Sequence, residues 1–349
     1  MTSPAGSSAA QDPAAAIAGG PGQESCLRPV WRVLPGAIPT QGRRGFGNPL
    51  TGPRRAAHSG AMAGTLDLFG LDSARARLDK MFAERPHLSS RATDVRIVQA
   101  RGERAVFRLC WDGRPAMAKL IWHGKAAQAV SGQAGALREM CAFLGRGPAQ
   151  VPEVLHVAPG DGFFVISAVP GQSAETLLTR GGEAEVPRAA DAARLWLSRA
   201  AGLRRDTVPF PRAWLHRQLD ALSHGDAADV AARTRQLLHE APQSLTRHAG
   251  HGDFWPGNLM IDAEAITAID LAGRRDIPLA EDIARFAHGL MGHSGDDLVE
   301  RVAAPLLSLL SGEEAAQVFP VFHGLHLART IHGTGGLRHL HERARFLGL

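Results

Sequence analysis

The residues best suited to do chemistry lie in two short segments, HGDFWPGN (residues 251–258) and IDLAG (residues 269–273). The amide oxygen of Asn258 and the carboxylate of Asp270 are hard oxygen ligands of the kind that Mg²⁺ prefers. Asp253 would remain free to accept a proton from an attacking hydroxyl. In-line phosphoryl transfer needs a metal to neutralise the phosphates and a base to orient the nucleophile, and this set would supply both.

Each motif alone has a simpler explanation. The first could be a turn in which Asp and Asn cap backbone amides, and Asp270 could merely end a strand. The chain also contains an internal control, because His224-Gly225-Asp226 repeats the tripeptide but has Ala231 where Asn258 would correspond. The discriminating feature is therefore the combination of Asp253, Asn258 and Asp270, which favours chemistry over capping.

A short β-hairpin is expected to bring these residues together. Residues 259–262 and 265–270 can pair around a turn at Ala263-Glu264. In that register Asn258 lies opposite Ile269, and Asp270 follows at the open end of the hairpin. Asp253, in the preceding loop, could face the same point.

The elements around this hairpin predict two lobes. A helix over 71–84 ends before Pro86, and a mainly antiparallel β region follows with one helix over 126–144, whose apolar residues recur every three or four positions. The predicted strands of this lobe span 95–99, 105–111, 115–122, 154–157 and 163–169. From 172 onward the pattern is helical, apart from 259–270. Such a layout predicts a cleft between lobes, where ligands commonly bind.

The β lobe contributes one cation with an unusual position. Lys119 lies inside an otherwise apolar strand, where a buried charge is costly without a partner. Nucleotide phosphates and a carboxylate would satisfy it, and Glu139 is the one acidic residue of the following helix. The alternative is an edge-strand lysine that points outward.

This pattern resembles the aminoglycoside phosphotransferase family, within the protein-kinase-like superfamily that includes choline and fructosamine kinases. The similarity runs from about Val95 to Phe286, and its most specific motifs are HGDFWPGN and AIDLAG. The resemblance implies an α+β, two-lobed protein-kinase-like fold with a small antiparallel β N-lobe, one helix in that lobe, and a larger, mainly helical C-lobe. It also implies an ATP-dependent, Mg²⁺-requiring transfer of the γ-phosphate to a small-molecule hydroxyl.

The resemblance assigns a role to each matching residue. Asp253 would be the catalytic base, and Asn258 and Asp270 would bind Mg²⁺. Lys119 would contact the nucleotide phosphates and be oriented by Glu139. The remaining matches are a hinge that holds adenine through backbone groups (Ser167, Ala168 and Val169) and a structural aspartate behind the catalytic loop (Asp282). One departure is the phosphate loop, residues 99–104, in which Gly102 is the single glycine and Arg101 or Arg104 could assist.

The acceptor is expected to be uncharged or anionic, such as a sugar, rather than an aminoglycoside. Aminoglycosides are polycations, yet residues 320–349 contain one acid, Glu342, against four arginines (Arg329, Arg338, Arg343 and Arg345). Choline would need an aromatic cage. The chain has no Tyr, and the loose aromatic candidates are Trp214, Trp255, Phe286 and Phe322.

Charge and composition exclude several other classes. The net charge is +5, but residues 1–60 hold six Arg and two acids, so the rest carries only +1 and shows no nucleic-acid-binding character. No apolar run is long enough to span a membrane, and no secretory signal is present. Three widely spaced cysteines fit a reducing, cytoplasmic compartment.

The expected organisation has three parts. Residues 1–65, rich in Gly, Pro, Ala and Ser, would be a disordered or non-native extension. Residues 66–169 would form the nucleotide-binding N-lobe, and residues 170–349 the C-lobe with the catalytic, metal and acceptor sites. A rival function stays open, in which the cleft of a non-catalytic pseudokinase binds nucleotide and acts as a regulatory module.

Overall fold

The structure is a computed structural model that describes residues 68–273, 276–289, 297–334, 343 and 346–348. The extension expected over 1–65 lies outside these residues. So do Arg338, Glu342 and Arg345, on which part of the acceptor argument rested.

The N-lobe is built on one antiparallel sheet, which confirms the expected β region. Its strands lie in the order β1 (Ala92–Arg101), β2 (Arg104–Trp111), β3 (Arg114–Ile121), β6 (Phe163–Ser167) and β5 (Val154–Ala158). Inward residues alternate along β2, where Ala105, Phe107 and Leu109 are buried. These side chains pack under helix α1 (Leu68–Glu84) and the short α2 (Pro86–Ser89), through Leu78 and Leu88.

The opposite face of the sheet meets a second long helix of the lobe, α3 (Ala126–Leu144). Val130, Leu137 and Met140 form its buried stripe and belong to the same apolar cluster as Phe164 of β6. This cluster continues into the C-lobe, so α3 packs against both lobes and borders the cleft between them.

The C-lobe is mainly helical, as expected. Its helices are α4 (Ala174–Gly181), α5 (Val186–Ala200), α6 (Arg212–Asp220), α7 (Ala228–Glu240), α8 (Leu279–His288), α9 (Asp297–Leu307) and α10 (Phe319–Thr334), the last preceded by a π-helical turn over Glu314–Val318. Among the described residues, no helix has the length and apolar character needed to cross a membrane.

The predicted hairpin is confirmed and belongs to a four-stranded sheet. β10 (Leu259–Ile261) pairs with β11 (Ile266–Ala268) in the expected register, Leu259 opposite Ala268, and the flanking strands are β4 (Ala149–Gln150) and β7 (Gln172–Ser173). The Ile269 N–H donates to the Asn258 carbonyl at 2.8 Å, so the pairing extends to the expected open end.

The expectation that 259–270 is the single β interruption of the C-lobe was wrong. A second sheet joins β8 (Arg205–Pro209), β9 (Ser244–His248) and β12 (Ile277–Pro278). The sequence of β8, RDTVP, is polar and largely exposed, so it lacks the apolar alternation that identifies a strand.

Gly162 fixes the junction between β3 and β6. Its φ is +65°, and its carbonyl accepts the Ile121 N–H at 2.8 Å. A Cβ at this position would lie 1.9 Å from the Ile121 carbonyl oxygen. The close approach of two backbone segments therefore requires glycine.

We predict that Gly162→Ala lowers the free energy of unfolding far more than Gly113→Ala. Both glycines have a positive φ, but a Cβ at Gly113 (φ +75°), in the turn between β2 and β3, would meet no atom within 4 Å. The control should cost about 1 kcal/mol of backbone strain, and Gly162→Ala about 2 kcal/mol more because the strands must shift. Urea denaturation measures both, and equal losses would contradict the close-approach explanation.

Candidate active site

The catalytic loop is anchored from behind by Asp282, the residue expected to be structural. Its carboxylate accepts the backbone N–H of His251 at 2.9 Å and that of Gly252 at 3.2 Å. Burial raises the pKa of Asp282 to about 7, against these two donors, which favour the charged form. A Cβ at Gly250 would lie 2.3 Å from Cγ1 of Ile277 and 2.7 Å from the same carboxylate, so glycine lets the chain pass close to both side chains just before the loop.

His251 joins the loop to the hairpin. Its Nδ1 accepts the Asp253 N–H at 3.2 Å, so the neutral ring carries its proton on Nε2, which donates to the Ile269 carbonyl at 2.7 Å. The ring is fully buried, and burial lowers its pKa to about 4. The neutral imidazole therefore holds the backbone of Asp253 and that of Ile269, the residue before Asp270, in one arrangement.

Stacked aromatic rings support this loop from the helical side. Phe254 lies between Trp196 of α5 and Phe286 of α8, with ring centroids 5.3 and 5.1 Å apart. The Trp196 indole N–H donates to the Gln150 carbonyl at 2.9 Å, which ties the stack to β4. Phe254, inside the HGDFWPGN segment, thus packs the loop against the helices.

The structure brings the expected metal ligands to the same end of the hairpin. Asn258 is buried, and its Nδ2 donates to the Asp253 carbonyl at 3.0 Å. Asp270 follows Ile269 with a left-handed backbone (φ +62°), a conformation that Asp tolerates better than most residues. The charges of Asp253 and Asp270 both act on the His251 ring, so both carboxylates lie close to it.

Their donor chemistry fits Mg²⁺. One amide and one carboxylate, with Asp270 45% exposed, leave room for water and phosphate oxygens, which magnesium usually keeps in its coordination sphere. In the described part of the chain, no three His, Cys, Asp or Glu side chains lie together so that they could hold a metal ion. The pair proposed here contains only one residue of those types, Asp270, because its other member, Asn258, is an amide.

Lys119 crosses from the N-lobe to this end of the hairpin. Its Nζ donates to Oδ1 of Asp270, and it lies 5.6 Å from the Phe164 ring centroid with its side chain only 14% exposed. Burial alone would raise the pKa of Asp270, but the charge and hydrogen bond of Lys119 outweigh it, so the pKa lies below its ordinary value. The sequence-based expectation of a partnered, inward lysine agrees with this position.

The expected partner of Lys119 is wrong, because the structure does not bring Lys119 and Glu139 together. Glu139 instead lies 3.5 Å from Arg204, which is also 3.6 Å from Asp276. On α3 the polar residue that lines the cleft with Lys119 is Gln133. Six helical positions separate Gln133 from Glu139, which places them about 120° apart around the helix, so Glu139 faces elsewhere.

The hinge expected to hold adenine lies at the end of β6. The Ser167 N–H donates to the Glu153 carbonyl at 2.9 Å, and the Ala168 N–H to the Pro115 carbonyl at 3.0 Å. Both N–H groups are therefore engaged within the protein. Within the described part of the chain, the Val169 N–H makes no such bond and is the donor of this trio left for a ligand.

The cleft between the lobes is strongly basic. Arg101 and Arg104 face each other across the β1–β2 turn, and the charge of Arg104 acts on Asp270. Asp270 is the one acidic residue among the described residues that line the cleft: Gln99, Arg101, Arg104, Ala105, Val106, Lys119, Ile121, His123, Ala129, Gln133 and Asp270. Such a lining suits a polyanion.

Sequence reasoning missed three polar residues of this site. Gln133 and His123 line the cleft, and Arg285 of α8 donates from Nη1 to Oδ1 of Asp253 at 2.7 Å. The one available signal for Arg285 was its place one helical turn after Glu281 and Asp282 in a segment that already carried a motif. Helical periodicity predicts which face of α8 carries Arg285, but it does not predict which residue Arg285 contacts.

The two-lobed architecture and this loop define a protein-kinase-like fold, as expected. The chain belongs to the phosphotransferase enzyme family, whose model matches residues 85–317. This match confirms the resemblance found in the sequence.

Solved structures of low identity share the fold. Aminoglycoside phosphotransferase APH(4)-Ia is 14% identical, with 78% of this chain and 96% of that chain covered and a TM-score of 0.53. A choline/ethanolamine kinase family protein from Mesorhizobium loti is 19% identical (79% and 91% covered, TM-score 0.52). ADP-bound APH(2'')-Ib is 12% identical (77% and 91%, TM-score 0.52). Among the curated proteins, none matches the chain significantly.

We predict that His251→Asn flattens the pH dependence of stability. Between about pH 6.5 and 4 the unfolded chain takes up a proton that buried His251 refuses, so the wild type loses about 1.4 kcal/mol of unfolding free energy per pH unit from this group. Urea denaturation at several pH values measures the slope. His224→Gln, at an exposed position, is the control, and parallel slopes in wild type and His251→Asn would refute the assignment.

Proposed function

We propose that this protein is an ATP-dependent, Mg²⁺-requiring phosphotransferase that moves the γ-phosphate to a hydroxyl of a small molecule. The observation that carries the proposal is the ion pair of Lys119 with Asp270, because it joins the N-lobe cation to the hairpin that also holds Asn258. Membership of a phosphotransferase family supports the reaction class. We retain residues 66–169 as the nucleotide-binding lobe, 170–349 as the catalytic lobe, and a cytoplasmic location as parts of this proposal.

The basic cleft suits the nucleotide phosphates. Lys119 would contact them directly, and Arg101 and Arg104 would add the positive charge that a loop with a single glycine cannot supply through its backbone. The Val169 N–H, together with the carbonyls of Ser167 and Ala168, would hold adenine. Glu139 has no direct contact with Lys119, so its support of nucleotide binding would act through the position of α3.

Asp253 would act as the base. The acceptor hydroxyl donates to the Asp253 carboxylate, the hydroxyl oxygen forms a bond to the γ-phosphorus, and the bond from that phosphorus to the β,γ-bridging oxygen of ATP breaks to release ADP. The hydroxyl proton passes to Asp253. Mg²⁺ held by Asn258 and Asp270 would neutralise phosphate charge.

Substrate binding would exchange the partners of the two ion-paired residues at the hairpin. In this structure Lys119 and Asp270 neutralise each other. When phosphates bind Lys119, Asp270 loses that partner and its carboxylate becomes available to a cation. Because the lysine and the aspartate belong to different lobes, nucleotide binding is coupled to the arrangement of the cleft.

The acceptor is proposed to be uncharged or anionic, with a sugar-like molecule favoured over an aminoglycoside. The described helix α10 supports this, because Phe319–Thr334 contains Arg329 and no acidic residue. A polycation would find few carboxylates there.

We predict that Asp253→Asn lowers kcat by about 10²–10⁴-fold, because the variant has no base for the hydroxyl proton. ATP-induced thermal stabilisation should persist, since Asp253 is not expected to bind nucleotide. The assay is a hydroxyl-acceptor panel with radiolabelled ATP.

Asp226→Asn is the matched control for this test. It makes the same change in the second HGD tripeptide, at an exposed position of a 3₁₀ turn (Gly225–Ala227), and should keep wild-type activity. Equal activity of Asp253→Asn and wild type would remove Asp253 from the mechanism. Stabilisation by ATP without turnover on any acceptor would favour the non-catalytic alternative.

We also predict that Mg²⁺ increases the thermal stabilisation by ATP in wild type but not in Asp270→Asn. The variant keeps an oxygen but loses the charge that attracts the cation. In the variant Lys119 has lost its carboxylate partner and remains available to the phosphates. ATP should therefore still bind without the metal. A Mg²⁺ effect that survives in the variant would contradict the role given to Asp270.

A further inference from the structure

Arg285 places a guanidinium directly against the candidate base. Its Nη1 lies 2.7 Å from Oδ1 of Asp253, and its Nη2 lies 3.7 Å from Oε1 of Glu281, one turn earlier on α8. The Glu281 side chain is 3% exposed, whereas that of Arg285 is 26% exposed and that of Asp253 is 46% exposed. Arg285 therefore has a buried counter-ion behind it and reaches solvent beside the carboxylate that would receive the acceptor's proton.

The position of this guanidinium relative to the loop is fixed by packing. The last turn of α8 lies against the catalytic loop, since a Cβ at Gly289 would be 2.4 Å from Cδ of Pro256. On the other side, Nε2 of His288 and Nδ1 of His323 are hydrogen-bonded at 2.9 Å, which joins α8 to α10. Arg285 thus belongs to a packed wall, formed by α8 and α10, next to the base.

A second guanidinium lies on the same wall. Arg329 of α10 donates to Gln218 and lies over the Trp214 ring. Buried His326 has a pKa well below its ordinary value, because of burial first and then the charges of Arg285, Arg329 and His323. Both guanidiniums therefore lie close enough to His326 to lower its pKa.

We propose that the acceptor carries an anionic group, a carboxylate or phosphate, near the hydroxyl that is phosphorylated, and that Arg285 binds this group. The inference rests on the proposed function and narrows its acceptor class. Asp253 and Arg285 present a hydrogen-bond acceptor and a charged donor side by side. A hydroxyl can donate to the first while an anion nearby on the same molecule accepts from the second.

The same arrangement discriminates between acceptors by charge. An anionic group would take the place of Asp253 as the partner of Arg285 and leave the base free for the hydroxyl. A cationic substituent at that point would meet the guanidinium and be repelled. A neutral acceptor would have to compete with the existing Asp253–Arg285 pair without offering a replacement.

Four probes on one sugar ring test this: glucuronate, glucose 6-phosphate, glucose and glucosamine. Binding is measured by calorimetry in the presence of Mg²⁺ and a non-hydrolysable ATP analogue, and transfer is measured with ATP. We expect at least one anionic sugar to exceed glucose by about tenfold or more in kcat/KM, with glucosamine the poorest. The glucuronate and glucose 6-phosphate results separate a carboxylate preference from a phosphate preference.

Variants of Arg285 identify its role. Arg285→Gln should lower kcat/KM for the better anionic sugar by about tenfold or more, mainly through KM, so that its advantage over glucose is largely lost. Arg285→Lys should keep part of the preference, because it keeps the charge but loses the planar donor pair. Arg233→Gln, an exposed α7 arginine bonded to Gln236, removes the same charge and should change nothing.

Removal of Arg285 leaves Glu281 buried without its guanidinium, so Arg285→Gln could fold poorly. The double variant Glu281→Gln/Arg285→Gln removes both charges and should show the same selective loss, with folding checked by thermal melting. Equal losses for all four sugars, a preference for glucose or glucosamine, or no binding of either anionic sugar would overturn the inference. If the wild type bound no ATP, the proposed function would fail as well.

Discussion

The neutral imidazole of His251 joins the two segments that carry the candidate catalytic groups. It accepts from the Asp253 backbone on one side and donates to the Ile269 carbonyl on the other, so Asp253 and Asp270 keep a fixed relation. Burial keeps the ring neutral, and a protonated ring could not accept the Asp253 N–H. The Asp282 carboxylate and the Trp196–Phe254–Phe286 stack hold this arrangement in place from behind.

Two ion pairs neutralise the carboxylates of the candidate site. Lys119 accompanies Asp270, and Arg285 accompanies Asp253. Each pair has a partially exposed carboxylate and a cation from a separate element, β3 or α8. Isolated charges at a partly buried site would be costly, and each of these carboxylates is paired with a cation of this chain. Under the proposed function, substrates that carry their own anions would replace these partners, and binding would release the candidate catalytic carboxylates in the same event.

Particular residues show how far the sequence reached. The register of β10 and β11 followed from alternation and a turn, and it correctly placed Asn258 opposite Ile269. The apolar strand around Lys119 correctly indicated a partnered, inward lysine. The carboxylate chosen for it was wrong, because Glu139 faces Arg204 while Gln133 faces the cleft. The polar strand β8 was missed, since its pairing with β9 depends on a distant segment and not on its own pattern.

The sequence by itself determined the family, the two-lobed fold and the segments that carry the candidate chemistry, because local periodicity and a specific motif are properties of neighbouring residues. Only the tertiary structure decided which charges meet. Lys119 and Asp270 are 151 residues apart in the chain, and Asp253 and Arg285 are 32 apart. The partner of a charged side chain depends on how helices and strands pack, on burial and on which competitor is nearer. A sequence pattern contains none of these distances.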